Sequence, residues 1–196
     1  MQQIALFGTS ADPPTAGHQA IIRWLSHHYD WVAVWASDNP LKSNQTPLAH
    51  RSAMLALLME DIAPLRHNVA LYPELSSPRT LETVEKARQL WASAALTLAI
   101  GSDLVSQLPR WYRVEDLLRE VQLLVVPRRG YSLDSSGFEQ LRQLGARVAL
   151  ADMAPPDVSS TAYRENRVRQ ALTPRVEAYI NREQLYECQH AAQKKF

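Results

Sequence analysis

The sequence predicts a doubly wound, mostly parallel α/β sheet, and three observations carry that expectation. Short apolar, β-branched runs alternate with longer segments whose apolar residues recur at spacings of three and four. Several of the short runs are hydrophobic almost throughout, as strands are when helices cover both sheet faces. The chain has 196 residues, 46% of them apolar, enough for one sizeable core in a single domain.

The elements follow in order. Strands are expected at 4–7 (IALF), 31–36 (WVAVWA), 68–73 (NVALYP), 96–100 (LTLAI), 121–126 (VQLLVV) and 146–151 (ARVALA). Helical periodicity falls between them, at 17–28, 47–61, 80–92, 114–120 and 136–145. After about residue 155 only helical patterns remain, at 159–172 and 173–187. The domain therefore reads as an α/β core over 1–155, C-terminal helices over 156–190 laid back on the sheet, and a frayed tail at 191–196. The polar, proline-bounded stretch 38–46 reads as a loop able to move.

Composition narrows the function. There are 21 basic and 20 acidic residues, a formal net charge of +1, which argues against a nucleic-acid or membrane partner attracted by a basic field. A single cysteine, Cys188, permits no internal disulfide. The start, MQQIALFG, lacks the basic and long apolar regions of a secretory signal. No segment approaches the roughly 20 apolar residues that cross a bilayer. A cytoplasmic protein is expected; its oligomeric state is left open, with a homo-oligomer among the options.

In a doubly wound sheet, ligands bind beyond the carboxyl ends of the strands, where strand order reverses. Three segments belong at such ends. In LFGTSADPPTAGHQAII (6–22), Gly8, Thr9 and Ser10 follow the first strand, and Thr15, Gly17 and His18 open the next helix. A helix start offers unpaired N–H groups and a positive dipole end, which suit phosphate oxygens. Thr15 and His18, three apart, can face one object there, and Gly17 leaves room for close approach. The plainer alternative is a threonine cap with a surface histidine. In VSSTAYRENR (158–167), Ser159, Ser160 and Thr161 open a helix, with Arg164 one turn on, either a second phosphate cradle or an ordinary cap. In AIGSDL (99–104), Gly101, Ser102 and Asp103 end the fourth strand, where a carboxylate can take ribose hydroxyls or cap a helix.

Taken together, GTSADPPTAGH and SSTAYR resemble the nucleotidyltransferase superfamily marked by (H/T)-x-G-H and I-S-S-T-x-x-R motifs. Within it the chain resembles the bacterial nicotinate-nucleotide adenylyltransferase family, because IGSDLVSQLPRWYRVEDLL, VVPRRGYSL and TPRVEAYINREQLY also occur in that family's order and spacing. The resemblance implies a Rossmann-like nucleotidyltransferase fold. It also implies transfer of AMP from ATP to a pyridine mononucleotide in NAD biosynthesis, with Mg²⁺ bridging the triphosphate. It places Gly8, Thr9, Ser10 and Gly17 along the ATP phosphates and Thr15 and His18 at the α-phosphate. Ser159, Ser160, Thr161 and Arg164 would hold the triphosphate from the other side, and Gly101, Ser102 and Asp103 would meet the ribose. Lys42, Arg51, Thr80, Trp111 and Arg128 correspond to the mononucleotide contacts. For Arg51 a solvated helix-start charge, for Thr80 a helix cap and for Trp111 a core aromatic are equally ordinary readings.

The chain departs from the family pattern at Thr9, Ala11, Thr15, Arg79 and Arg129. The family usually has glycine, phenylalanine, histidine, tyrosine and proline there. Arg79 and Arg129 fall near the expected pyridine pocket, where added positive charge favours a nicotinate carboxylate over a nicotinamide. The alternatives are the amide mononucleotide as preferred or additional acceptor, phosphopantetheine adenylyl transfer, and a nucleotide-binding module without activity. Phosphopantetheine adenylyltransferases share the first two motifs but lack the W-Y and R-x-G-Y segments.

Overall fold

Successive residues of a strand point to opposite faces of its sheet, and here both faces are apolar. Ile4 and Leu6 of β1 (Gln3–Thr9) enter one buried cluster, and Ala5 and Phe7 enter the other. The same division holds in β2 (Trp31–Ala36), with Ala33 and Trp35 on one side and Val32, Val34 and Ala36 on the other. In β5 (Gln122–Val126), Leu123 and Val125 oppose Leu124 and Val126. This two-sided burial is why the strands read as unbroken hydrophobic runs.

The computed structural model describes residues 1–38, 44–62, 66–128, 135–166 and 171–186. Its single sheet has the order β3-β2-β1-β4-β5-β6 and every pairing is parallel. The central strand β1 lies between β2 and β4 (Ala95–Gly101), so the chain reverses its direction of travel across the sheet there. The edge strands β3 (Val69–Leu71) and β6 (Arg147–Leu150) are shorter than the 68–73 and 146–151 expected, since each has a partner on one side only. The expected tail, Cys188, Lys42 and Arg129 lie outside the described residues, as does most of the loop 38–46.

Helices cover both faces. On one side α3 (Thr80–Leu90), α4 (Val114–Glu120) and α5 (Ser135–Gln143) contribute Leu81, Val84, Leu117, Leu118 and Leu141 to the core. On the other, α1 (Ala16–His28) contributes Ile21, Ile22 and Leu25, and α2 (Leu48–Glu60) contributes Met54, Leu55 and Leu58. The C-terminal helices α6 (Ser160–Asn166) and α7 (Pro174–Arg182) belong to this second cluster through Tyr163, Val176 and Ile180. Burial of Val176 and Ile180 anchors α7, each apolar side chain contributing about 1.5–3 kcal/mol. His50 of α2 meets the Tyr179 hydroxyl at 2.9 Å, and Arg175 pairs with Glu60 at 2.6 Å and Asp61 at 3.0 Å. Those surface ion pairs add little. Among the described residues no helix is long and apolar enough to cross a membrane.

One contact fixes the carboxyl end of the central strand. Trp35 is 3% exposed and its indole lies against Gly8, so a Cβ there would sit 2.4 Å from a ring carbon. Gly8 therefore has a packing reason to be glycine, separate from any ligand. Gly8→Ala must push the indole aside, an overpacking that costs about 1–3 kcal/mol. Denaturant melts followed by tryptophan fluorescence should show a lower midpoint; a wild-type midpoint would mean that the ring is not held there.

Candidate active site

β1 ends at Thr9, and the next residues turn sharply into α1. Ala11 is fully buried with φ of 48°, a left-handed conformation uncommon outside glycine, and the Asp12–Pro13 peptide bond is cis. Thr15 is the N-cap of α1, with extended φ and ψ. Its backbone N–H donates to His18 Nδ1 at 3.0 Å, and its hydroxyl lies 2.9 Å from the same nitrogen. His18 thus fills the third helical position, where a capping box usually has Glu or Gln. A nitrogen that accepts an N–H carries a lone pair, so the hydrogen-bond network assigns the ring proton to Nε2. His18 is 6% exposed and lines a cleft above the sheet.

The second segment closes on the first directly. Ser160 Oγ donates to the Pro13 carbonyl at 2.8 Å, across 147 residues of sequence. Arg164 donates to the Asp12 carbonyl and, at 3.4 Å, to Thr161 Oγ1. Ser159 Oγ accepts the Ala162 N–H at 3.0 Å and so caps α6. One hydroxyl, that of Ser160, therefore serves this joint and that of Ser159 caps the helix, while Thr161 and Arg164 extend along the cleft wall.

At the end of β4, Arg128 Nη1 donates to Asp103 Oδ2 at 2.9 Å, and the Arg128 N–H donates to Ser102 Oγ at the same distance. Among the described residues the buried Asp103 Oδ1 has no hydrogen-bond partner. A Cβ on Gly101 would meet that oxygen at 2.3 Å, so only glycine leaves it room. Further along, the Arg79 guanidinium sits 4.0 Å from the centre of the Tyr112 ring and 3.7 Å from Glu82.

These groups share one cleft of about 920 Å³ at the carboxyl ends of β1, β4 and β5, the switch point of the sheet. Its lining includes Gly8, Thr9, Ser10, His18, Gly101, Asp103, Ser159, Ser160, Thr161 and Arg164, with Thr80, Trp111 and Arg128 farther along. Four residues expected at the ligand differ: none of Thr15, Gly17, Ser102 and Arg51 lines the cleft. Thr15 is 1% exposed and acts through the His18 ring. Gly17 faces the backbone of Pro156 and Val158. The Ser102 hydroxyl holds the Arg128 main chain. Arg51 is 2% exposed, and it donates to the carbonyls of Thr46, Ser10 and Ser37 at 2.8, 2.9 and 2.7 Å. Burial pulls its guanidinium below its ordinary pKa, and the negative charges of Asp12 and Asp38 oppose that.

Sequence reading missed several cleft residues. Asp12 stood in plain view inside the first motif, and Trp35 is the penultimate residue of an apolar strand, with nothing local to mark it. Tyr112, Arg110 and Gln107 come from the segment 102–113, which folds as two 3₁₀ turns (Ser102–Leu104 and Leu108–Arg110) instead of a plain loop. Chemically, the cleft combines an oriented imidazole, several guanidiniums and the Asp103 carboxylate, a set suited to phosphates and a ribose.

A family model described as cytidylyltransferase-like matches residues 6–166. A Synechocystis sp. protein named "Probable nicotinate-nucleotide adenylyltransferase" is 41% identical, with 94% of this chain and 98% of that one covered. The nicotinate-nucleotide adenylyltransferase of Bacillus subtilis is 27% identical, over 95% of this chain and all of that one. In fold, the chain resembles the Plasmodium falciparum nicotinic acid mononucleotide adenylyltransferase complexed with NaAD, with a TM-score of 0.82, 19% identity and coverage of 95% and 98%. By its sequence the chain belongs to the cytidylyltransferase-like proteins and, among them, to the nicotinate-nucleotide adenylyltransferase family.

Proposed function

We propose that the chain transfers AMP from ATP to nicotinate mononucleotide, giving nicotinate adenine dinucleotide and pyrophosphate in NAD biosynthesis. The observation that carries this reading is the meeting of His18 and Arg164 on one cleft wall, with Asp103 at the end of the neighbouring strand. The 5′-phosphate of the mononucleotide attacks the α-phosphorus of ATP. A bond forms from its oxygen to that phosphorus as the bridge to the β-phosphate breaks, and pyrophosphate leaves in line. The nucleophile is already ionised near neutral pH, its second pKa being about 6, so the protein supplies no base. Its work is positioning and charge neutralisation.

His18 Nε2–H donates to the α-phosphate, where charge develops. Thr15 keeps that nitrogen protonated by occupying Nδ1. Thr161 and Arg164 hold the outer phosphates, and Thr9 and Ser10 border them from β1. The Asp103 carboxylate, seated against Gly101, accepts a ribose hydroxyl. Thr80, Trp111, Tyr112 and Arg128 form the mononucleotide end. An Mg²⁺ ion serving this reaction would be ligated mainly by substrate phosphates and water. When bound, Mg²⁺ neutralises triphosphate charge and orients the leaving pyrophosphate.

Arg79, held over the Tyr112 ring and near Glu82, adds positive charge to the cleft beside Thr80 and Trp111, which favours the acid as acceptor.

Two measurements check these assignments. His18→Ala should lower kcat by about 10²–10³ while changing the KM for ATP far less; a variant with near-native kcat removes His18 from the chemistry. Arg79→Gln should reduce the kcat/KM preference for nicotinate over nicotinamide mononucleotide about five-fold, as befits one half-exposed charge. An unchanged ratio assigns acid recognition to other groups.

A further inference from the structure

The C-terminal segment TPRVEAYINREQLY has no part in the site so far, yet its last residue bonds a side chain of the cleft wall from behind. α7 ends with Leu185 N–H bonded to the Ile180 carbonyl at 3.0 Å and Gln184 in the left-handed region (φ 52°), where a helix end usually has glycine. Two residues later Tyr186 is left-handed again (φ 67°). Two such non-glycine residues in three persist only when the surrounding contacts over-determine them.

Those contacts are specific. The Tyr186 hydroxyl donates to Asp12 Oδ1 at 2.7 Å, and its ring packs edge-on against Tyr163 with centroids 6.0 Å apart. Tyr163 immediately precedes Arg164. Thr46 contributes a hydroxyl hydrogen bond to Tyr186 and its N–H to Asp12 Oδ2 at 3.4 Å. Burial pushes the Tyr186 hydroxyl well above its ordinary pKa, with Asp12 adding to the rise, so it remains a donor. Asp12 is 4% exposed and lines the cleft, whereas Tyr186 and Thr46 do not. Both carboxylate oxygens are thus held by donors behind the cleft wall, and Arg164 bonds the Asp12 carbonyl.

From this geometry we infer that Tyr186 is a positioning residue for ATP, holding the Asp12 carboxylate away from the triphosphate and leaving the Arg164 guanidinium to the phosphates. Without the hydroxyl, a buried carboxylate beside the phosphate subsite swings toward the nearest cation, repels ATP and competes for Arg164. The inference rests on the adenylyl-transfer reading.

Tyr186→Phe tests it, because the ring contact with Tyr163 survives and only the hydroxyl is lost. Wild-type and variant proteins are assayed with ATP and nicotinate mononucleotide below their melting points, and binding of a non-hydrolysable ATP analogue is measured by calorimetry. The variant should show a KM for ATP and an analogue Kd raised on the order of ten-fold, with the KM for the mononucleotide within two-fold of wild type. In an Asp12→Asn background the same change should no longer weaken ATP binding, since the amide carries no charge to misplace. An unchanged analogue Kd in Tyr186→Phe overturns the inference, as does an equal penalty in the Asn background. Wild-type protein that binds the analogue without turning over would count against the adenylyl-transfer reading instead, and the binding arm would still decide the role of Tyr186.

Discussion

Two backbone carbonyls in the turn after β1 carry the site. The Pro13 carbonyl accepts from Ser160 and the Asp12 carbonyl accepts from Arg164. Nothing else described joins the first motif to the second so directly. Main-chain acceptors suit this task because their position is set by the fold instead of by a rotamer. The sheet fixes where β1 ends, the buried turn fixes where the two carbonyls point, and α6 is held against them. His18 and Arg164 consequently stand on a frame set by main chain, which suits electrostatic preorganisation.

The same device recurs one layer out. Arg51 spends its guanidinium on the carbonyls of Ser10, Ser37 and Thr46, tying together the carboxyl ends of β1 and β2 and the entry to α2. A fully charged group at 2% exposure is costly unless every N–H finds an acceptor. Three short bonds to main chain satisfy three of its five N–H groups and commit the guanidinium to the loops around it. An arginine at a helix start can serve a substrate or the loops around it, and only its burial decides which.

The sheet was legible in the sequence because its signal is spread over whole strands. Six apolar runs correspond to six strands, and parallel pairing follows from the helices between them. Edge strands were overestimated because hydrophobicity does not reveal how many neighbours a strand has. Within the site, groups close in sequence to a strand end were also legible: Gly8, His18, Gly101 and Asp103 reach the cleft because β1 and β4 end there. What could not be read was the direction of individual side chains. Thr15 and His18 are three apart on one helix face, yet one turns into the cleft and the other sits behind it, bonded to its ring. Trp35 and Tyr186 come to the site by tertiary packing alone, and no local pattern distinguishes either from an ordinary core or tail aromatic.

Charge shows the same division between what composition carries and what the fold decides. A net charge of +1 gives no sign of an anion site, yet Arg79, Arg110, Arg128 and Arg164 all line the cleft together with Asp12, Asp38 and Asp103. The arithmetic of four against three understates the local field. Asp103 is engaged by Arg128, and Asp12 is engaged by the neutral donors Tyr186 and Thr46. Asp38 lies within electrostatic reach of Arg51, behind the wall. None of these three carboxylates is paired with Arg110 or Arg164 in the contacts described, while Arg79 lies near Glu82. Pairing, not abundance, makes the cleft positive where phosphates would lie, so a nearly neutral chain can bind a triphosphate without attracting every other polyanion in its surroundings.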